Sequence, residues 1–137
     1  MSKPNSREIY QQGKNREKLV QKQLWSHGYQ VKDVSSFSHY DLLVDKKIKV
    51  EVKYAKKGVS KYVLYWVILF LNMNEFDVLA IVLDDPINLF SRIYYLKEKE
   101  SLPIIAKEPD AHYFQRLRLD VDIINEYFTT RPSEVLN

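Results

Sequence analysis

Apolar and polar residues recur with two different periods along the first part of the chain, and the change of period separates a helix from strands. Over about residues 7–27, Leu19, Val20 and Leu24 recur at helical spacing, with good helix formers between them. This pattern predicts a helix. Gly28 follows at the place where helices commonly end in the left-handed conformation.

The residues after Gly28 alternate with a period of two, which is typical of strands. Residues 29–34 are expected to be extended, and residues 40–44 and 48–54 predict a hairpin around an Asp-Lys-Lys turn. Residues 62–71 are rich in β-branched and aromatic side chains, so a strand is favoured there, with a buried helix as the alternative.

Two further apolar runs complete the predicted sheet. Residues 76–83 are almost continuously apolar, as in a central strand, and residues 92–96 predict a short strand. A helix, several strands and then mixed elements predict an α/β (α+β) fold with a central mixed β-sheet flanked by helices. With 137 residues, the chain is expected to form a single domain over residues 1–137.

Composition excludes several kinds of chemistry. The absence of Cys rules out disulfides, thiolate zinc sites, iron–sulfur clusters and cysteine nucleophiles. With only three Gly there is no glycine-rich phosphate loop. The polar N-terminus has no apolar stretch suited to secretion, and the most apolar window is too short to span a bilayer. We therefore expect a cytoplasmic protein that has no membrane partner.

The net charge of +3 is small, but the positive charge is concentrated. A short segment holds seven lysines, Lys46, Lys47, Lys49, Lys53, Lys56, Lys57 and Lys61. Such a cluster suits a phosphate backbone. On charge alone, a solvated charged face remains the other interpretation.

The predicted hairpin brings two acidic residues together. If the turn is centred on Lys46, Asp41 and Glu51 face each other with β-carbons roughly 5 Å apart, and Lys53 lies on the same face. Like charges in this position destabilise a hairpin unless a hard cation such as Mg²⁺ binds them. Lysine beside metal-bound water suits phosphodiester hydrolysis. The alternative is the solvated face of an edge hairpin. The opposite, core-facing side would carry Leu42, Val44, Ile48, Val50 and Val52.

A third acid lies on the apolar stripe of the predicted helix. Glu17 precedes Val20 and Leu24 at helical spacing, so its side chain is expected to point toward the sheet. An inward carboxylate is costly unless it is paired or bound to a cation. The alternative is a partly exposed Glu17 near the helix start, where the helix dipole favours an acid.

These residues resemble the PD-(D/E)xK nuclease superfamily. The resemblance lies in the segments "GKNREKLVQKQLWSHGYQV", "YDLLV" and "VEVKYA", and covers about residues 13–57. That fold places a glutamate on its first helix, then an aspartate and an (E/D)xK triplet on adjacent strands. Tyr40 stands where the family's proline is expected. The segments "FDVLAIVL" and "RIYYL" look like the family's later strands.

The resemblance implies a metal-dependent nuclease whose catalytic residues are Glu17, Asp41, Glu51 and Lys53. Asp41, Glu51 and the backbone carbonyl of Val52 would bind Mg²⁺, for which Mn²⁺ could substitute. Glu17 would bind a second metal or orient a ligand through water, and Lys53 would position the attacking water. The weaker DNA-binding candidates are Lys56, Lys57, Ser60, Lys61 and Tyr62.

The expected substrate is double-stranded DNA or a DNA junction. One active site cuts one strand, so a double-strand cut suggests a homodimer or higher homo-oligomer. Among small members of the superfamily, a sequence-specific endonuclease of the homing or restriction kind is favoured over a Holliday junction resolvase. A non-catalytic nucleic-acid-binding domain of the same fold is a further alternative, as is an unrelated α/β protein with a chance triplet.

Overall fold

The first helix has well-defined ends in the computed structural model, which describes residues 5–59, 64–70, 76–85, 90–102, 108–109 and 115–137. Helix α1 spans Ser6–Ser26. A capping box begins it, because the Asn5 side chain accepts a hydrogen bond from the Glu8 N–H and the Glu8 carboxylate accepts one from the Asn5 N–H. Gly28 follows the helix with a φ of +90°, as the sequence predicts.

Nine strands form one sheet within the residues that the structure describes. In chain order the strands are β1 (Val31–Asp33), β2 (Leu42–Val44), β3 (Ile48–Val59), β4 (Leu64–Phe70), β5 (Val78–Asp85), β6 (Phe90–Leu96), β7 (Glu108–Pro109), β8 (Gln115–Asp120) and β9 (Phe128–Thr129). The shorter helical elements are a 3-10 helix (Lys99–Ser101), α2 (Val121–Tyr127) and α3 (Ser133–Leu136).

Strand β3 is the centre of the sheet. The main strand order is β7-β8-β4-β3-β5-β6-β9, and β2 joins the start of β3 and carries β1 at its side. Strand β3 is antiparallel to β2 and β4 and parallel to β5, so the sheet is mixed as predicted. Every residue from Val78 to Leu83 of β5 is buried, which confirms the central strand.

A hydrophobic core lies on each face of the sheet. On one face, Val20 and Leu24 of α1 pack on Val50 and Val52 of β3. On the other face, Ile124 of α2 belongs to the second core. That core also includes Ala55, Leu79, Ile81, Leu83, Leu119 and Phe128. Helices therefore flank the sheet on both sides, as expected from the order of elements.

Three details of the sheet differ from the sequence-based expectation or complete it. Strand β3 continues to Val59, beyond the predicted end at residue 54, because β4 pairs with its last four residues. Strand β2 begins at Leu42, two residues later than predicted. Residues 64–70 are a strand, so a buried helix is the wrong alternative for them.

Among the described residues, no helix is long and apolar enough to cross a membrane.

Candidate active site

The hairpin of β2 and β3 has the register that the sequence predicts. Leu42 pairs with Val50, Leu43 with Lys49 and Val44 with Ile48, so the turn is centred on Lys46. Asp45 and Lys46 both have positive φ, at 50° and 63°, as in tight hairpin turns.

The two faces of β3 carry different chemistry. Val50 and Val52 are buried against α1. Successive side chains of a strand point to opposite faces, so Glu51 and Lys53 lie on the other face, as predicted. Both side chains are only partly buried. Strand β3 therefore holds Glu51 and Lys53 next to each other on one face of the sheet.

Asp41 lies just ahead of β2 and is fixed by three hydrogen bonds. Its N–H donates to the Val50 carbonyl at 3.1 Å, and its carbonyl accepts from the Val34 N–H at 2.9 Å. Its carboxylate Oδ2 accepts from the Val52 N–H at 2.8 Å. If the pairing of β2 with β3 continued, the Val52 N–H would donate to a backbone carbonyl. The Asp41 carboxylate accepts that hydrogen bond instead, which explains why β2 starts after Asp41.

Glu17 points inward from α1. It is 9% exposed and follows the same stripe as the fully buried Val20 and Leu24, so the alternative of a partly exposed side chain is wrong. The pKa of Glu17 is raised to about 7, mainly by burial and then by the charge of Asp41 and a hydrogen bond to the Asp41 carboxyl. The neighbouring Lys14 ammonium acts in the opposite direction.

Glu51 is the most strongly perturbed carboxyl of the group. Burial raises its pKa to about 9, assisted by a hydrogen bond to the Asp41 carboxyl and by the charge of Asp41. The Lys53 ammonium lowers it, and Glu17 raises it by a smaller amount. Asp41 therefore interacts with both glutamates. We call the four interacting side chains, Glu17, Asp41, Glu51 and Lys53, the carboxyl cluster.

Sequence reasoning missed the contacts of Lys14. Its ammonium lies 3.2 Å from Glu17 Oε2 and 3.7 Å from Asp33 Oδ2, and it donates to the Ser35 hydroxyl. Ser35 Oγ in turn lies 3.4 Å from Glu17 Oε2. The spacing of Lys14 and Glu17, three residues apart on a helix, could have indicated the first contact. The contacts with Asp33 and Ser35 depend on how α1 packs against β1.

The backbone of β3 adds a further oxygen beside the cluster. In a strand, the N–H and C=O of one residue point to the same side. The Val52 N–H points to Asp41, so the Val52 carbonyl points to that edge of β3 as well. Pairing with β2 stops at Val50 and pairing with β4 starts at Lys56. Among the described strands, none pairs with β3 along this edge between those positions.

The donor set, three carboxyls and one backbone carbonyl, suits a hard cation. Carboxylate and backbone carbonyl oxygens are the ligands that Mg²⁺ takes in proteins. Within the part of the chain that the structure describes, no group of three or more His, Asp or Glu side chains is already arranged to hold a metal ion. The three carboxyls instead face one another through Asp41. Binding an ion would turn their oxygens toward a common point.

The predicted DNA-binding residues are brought together only in part. Lys56 and Lys57 lie on β3, opposite Val67 and Trp66 of β4, and the Lys57 side chain is partly buried. Ser60, Lys61 and Tyr62 lie outside the described residues. The assignment of all five to DNA binding stays a prediction.

Comparison with protein-family models, with curated proteins and with solved structures finds no match to this chain. Function is therefore inferred from the geometry of the carboxyl cluster and from the sequence resemblance.

Proposed function

We propose that this protein is a Mg²⁺-dependent DNA endonuclease with a PD-(D/E)xK active site. One observation carries the proposal. The carboxyl of Asp41 interacts with those of Glu17 and Glu51 at once, and Lys53 lies two residues beyond Glu51 on the same face of β3. These residues come from α1, the residue just ahead of β2, and strand β3, in the chain order of that superfamily.

The acids support an enzyme better than a domain that only binds nucleic acid. Three carboxyls with shared burial repel one another when ionised, and the repulsion is a cost to folding at neutral pH. A divalent cation offsets this cost, whereas a phosphate backbone would add to it. The buried Glu17 also argues against a chance triplet, because an acid without a role is more stable on the outer face of the helix.

In the proposed site, Asp41, Glu51 and the Val52 carbonyl hold Mg²⁺, and Glu17 holds a second ion or orients a bound water. Mn²⁺ can replace Mg²⁺, since it takes the same oxygen ligands. The cation supplies a Lewis acid that favours ionisation of water and stabilises charge on the phosphate. The Val52 N–H keeps the Asp41 carboxylate oriented while this happens.

Lys53 acts on the reacting groups themselves. Its ammonium can donate hydrogen bonds to the attacking water and to a non-bridging phosphate oxygen. Hydrolysis forms one bond between the water oxygen and phosphorus and breaks the bond between phosphorus and the leaving sugar oxygen. The attacking water loses a proton to solvent, and the leaving oxygen takes one up. Lys53 stabilises the negative charge that gathers on the phosphate between these events.

Sequence-specific cleavage of both strands by a homo-oligomer is the form of the activity that we propose, since a single site cuts one strand. A Holliday junction resolvase on the same fold is the second candidate.

The decisive assay incubates the full-length protein with supercoiled plasmid and with a four-way junction, with and without Mg²⁺ or Mn²⁺. Asp41→Ala and Lys53→Ala serve as the variants. We expect metal-dependent cutting that both variants lose, and the preferred substrate separates an endonuclease from a resolvase. Cutting that persists in both variants, or no cutting of any substrate while DNA still binds, would overturn the proposal.

A further inference from the structure

A basic face with one exposed aromatic ring lies beside the carboxyl cluster. Lys32 of β1 pairs with Leu43, and Leu43 pairs with Lys49. Residues directly opposite in antiparallel strands share a face, so both lysines lie on the face that carries Glu51. Both lysines are exposed. Lys49 is only two residues from Glu51 along β3.

The aromatic ring is that of Phe37, which is 69% exposed. It lies in the loop of residues 35–40 that connects β1 to Asp41. The Lys32 ammonium lies 5.8 Å from the ring centroid of Phe37, and the Lys49 ammonium lies 5.6 Å from that of Tyr40. Lys32 and Lys49 thus share one face of the sheet, and Phe37 lies beside Lys32; we call these three residues the aromatic–basic face.

The loop that carries Phe37 is closed at its base. The Val34 N–H donates to the Asp41 carbonyl at 2.9 Å, and the Phe37 N–H donates to the Val34 carbonyl at 3.1 Å. The Ser35 N–H donates to Asp33 Oδ1 at 3.0 Å. These bonds limit the conformations of the loop and tie the position of Phe37 to that of Asp41, the acid at the centre of the carboxyl cluster.

An exposed phenyl ring beside one ammonium group, with a second ammonium group on the same face of the sheet, matches the chemistry of an unpaired nucleotide. Every base offers a flat π face, and stacking on an aromatic side chain contributes without regard to sequence. Two lysines on that face suit the phosphates of the same strand. In an undistorted duplex the faces of the bases are covered by their neighbours. A lone phenyl ring therefore gains most where a base has left the stack.

We propose that the aromatic–basic face binds DNA that contains an unpaired base, with Phe37 stacked on that base and Lys32 and Lys49 on the phosphates beside it. The inference deepens the proposed nuclease function and rests on it for the choice of DNA as the partner. It assigns the substrate class as DNA with a local break in base pairing, such as a junction, a bulge or a fork, and so favours the second candidate, the junction resolvase, over cleavage of a matched duplex. The bound strand then passes the carboxyl cluster.

The test measures binding in chelator, so that it does not depend on the metal. Fluorescence anisotropy gives the Kd of the full-length protein for a matched duplex and for the same duplex with one unpaired adenine. We expect the wild type to prefer the bulged DNA. Phe37→Ala should weaken binding to the bulged DNA about tenfold or more and leave the matched duplex unchanged. Phe37→Trp should retain the preference.

Matched variants separate a local effect from a general one. Trp25 on α1 is also exposed, at 52%, and Trp25→Ala should change neither Kd. Lys32→Ala with Lys49→Ala should weaken binding to both DNAs and reduce the salt dependence by about two counterions. The same double change at Lys18 and Lys22, exposed on α1, should have little effect.

Two results would overturn the inference. One is equal binding of bulged DNA by the wild type and Phe37→Ala. The other is an equal loss on both DNAs in Phe37→Ala. If Phe37→Ala binds DNA normally but dissociates an oligomer in sedimentation, the ring contacts a second copy of the chain, and the inference also fails. If the protein cuts no DNA but Phe37→Ala still weakens binding to bulged DNA, the nuclease activity is refuted and the DNA-binding role of the aromatic–basic face is retained.

Discussion

Asp41 Oδ2 and the backbone nitrogen of Val52 lie 2.8 Å apart, and this single contact positions an acid between two others. The same carboxyl group ends the β2–β3 ladder and interacts with Glu17 and Glu51. A substitution at Asp41 can keep this contact while removing the negative charge. Such a variant shows whether the charge or the structural role of Asp41 is needed for activity.

Asp41→Asn should preserve the fold and abolish metal-dependent cleavage. The amide oxygen can still accept from the Val52 N–H, but a neutral amide is a far poorer ligand for Mg²⁺. We expect a fall of about a hundredfold or more in the single-turnover rate of DNA cleavage, with thermal unfolding close to that of the wild type.

The matched control is Asp77→Asn. Asp77 Oδ2 accepts from the Lys49 N–H at 2.9 Å, a similar bond to the same strand, but Asp77 is exposed and outside the cluster. Its variant should cleave like the wild type. Equal losses in both variants would assign the effect to the strand and exclude a specific role for Asp41.

The stability of the metal-free protein should fall as the pH rises. The pKa values of Glu17 and Glu51 are raised from 4.5 to about 7 and about 9 on folding. Between those limits the folded state binds more protons than the unfolded chain, so the free energy of unfolding decreases with pH. The stabilisation from the two protonated carboxyls is complete below pH 4.5. It is lost as the pH rises through 7, where Glu17 ionises, and then through 9, where Glu51 ionises. Urea denaturation over this range measures the slope.

Two changes should flatten that slope. Glu51→Gln removes the group that titrates at the highest pH, and Mg²⁺ stabilises the ionised cluster. Glu100→Gln, a change at an exposed position, should leave the slope as in the wild type. A stability that rises with pH from 5 to 9 in chelator would contradict the raised pKa values.

Lys53→Met should impair chemistry more than DNA binding. The Lys53 ammonium lowers the pKa of Glu51, so its removal should raise that pKa further, which carboxyl NMR chemical shifts can follow. We expect the cleavage rate to fall about 10²–10³-fold, the typical loss when one stabilising donor is removed. Lys22→Met, on the exposed side of α1, is the control. A pKa of Glu51 that does not change would place Lys53 outside the cluster.

Arg16 should stabilise the packing of α1 on the sheet. Its guanidinium lies 3.3 Å from Asp84 Oδ2 and 3.5 Å from the ring centroid of Tyr54, and its side chain is only 16% exposed. We expect Arg16→Ala to cost about 2 kcal/mol in urea denaturation, because it leaves Asp84 without its cation.

A matched change at the surface provides the comparison for Arg16. Arg131 pairs with Glu134 at 3.8 Å, but the Arg131 side chain is 79% exposed. Arg131→Ala should cost less than about 0.5 kcal/mol. Similar costs at both positions would show that burial does not strengthen the Arg16–Asp84 pair.

The hairpin turn offers a stabilising change. Lys46 has a φ of 63°, in the left-handed region that costs a residue with a side chain about 1 kcal/mol or more. Lys46→Gly should therefore raise the free energy of unfolding by about 0.5 kcal/mol after the added entropy of the unfolded chain. Lys47→Gly should instead destabilise, because Lys47 is not among the described residues with positive φ. Denaturation curves of the two variants should move in opposite directions.

Local patterns were sufficient to predict the hairpin and the inward Glu17. Alternation fixes which face each side chain of a strand takes, so Lys46 at the centre of the turn sets the register of Leu42 and Val50. Helical periodicity likewise places Glu17 in line with Val20. Both features depend on residues close together in the chain.

The remaining features depend on contacts between distant segments. Arg16 meets Asp84 and Lys14 meets Ser35 only after α1 has docked on the sheet. The start of β2 was predicted too early because the Asp41 side chain competes with the backbone for the Val52 N–H. Periodicity contains no information about such competition.

All four residues of the carboxyl cluster come from α1 and the hairpin, before residue 54. Within the sheet, β6 and β9 connect to β3 through β5, and β7 and β8 connect to it through β4. Substitutions at surface positions of those later strands can therefore change much of the protein surface while the groups of the proposed active site stay the same. The carboxyl cluster and the aromatic–basic face both lie before residue 54, so related proteins would be expected to keep that part of the chain and vary most in the rest.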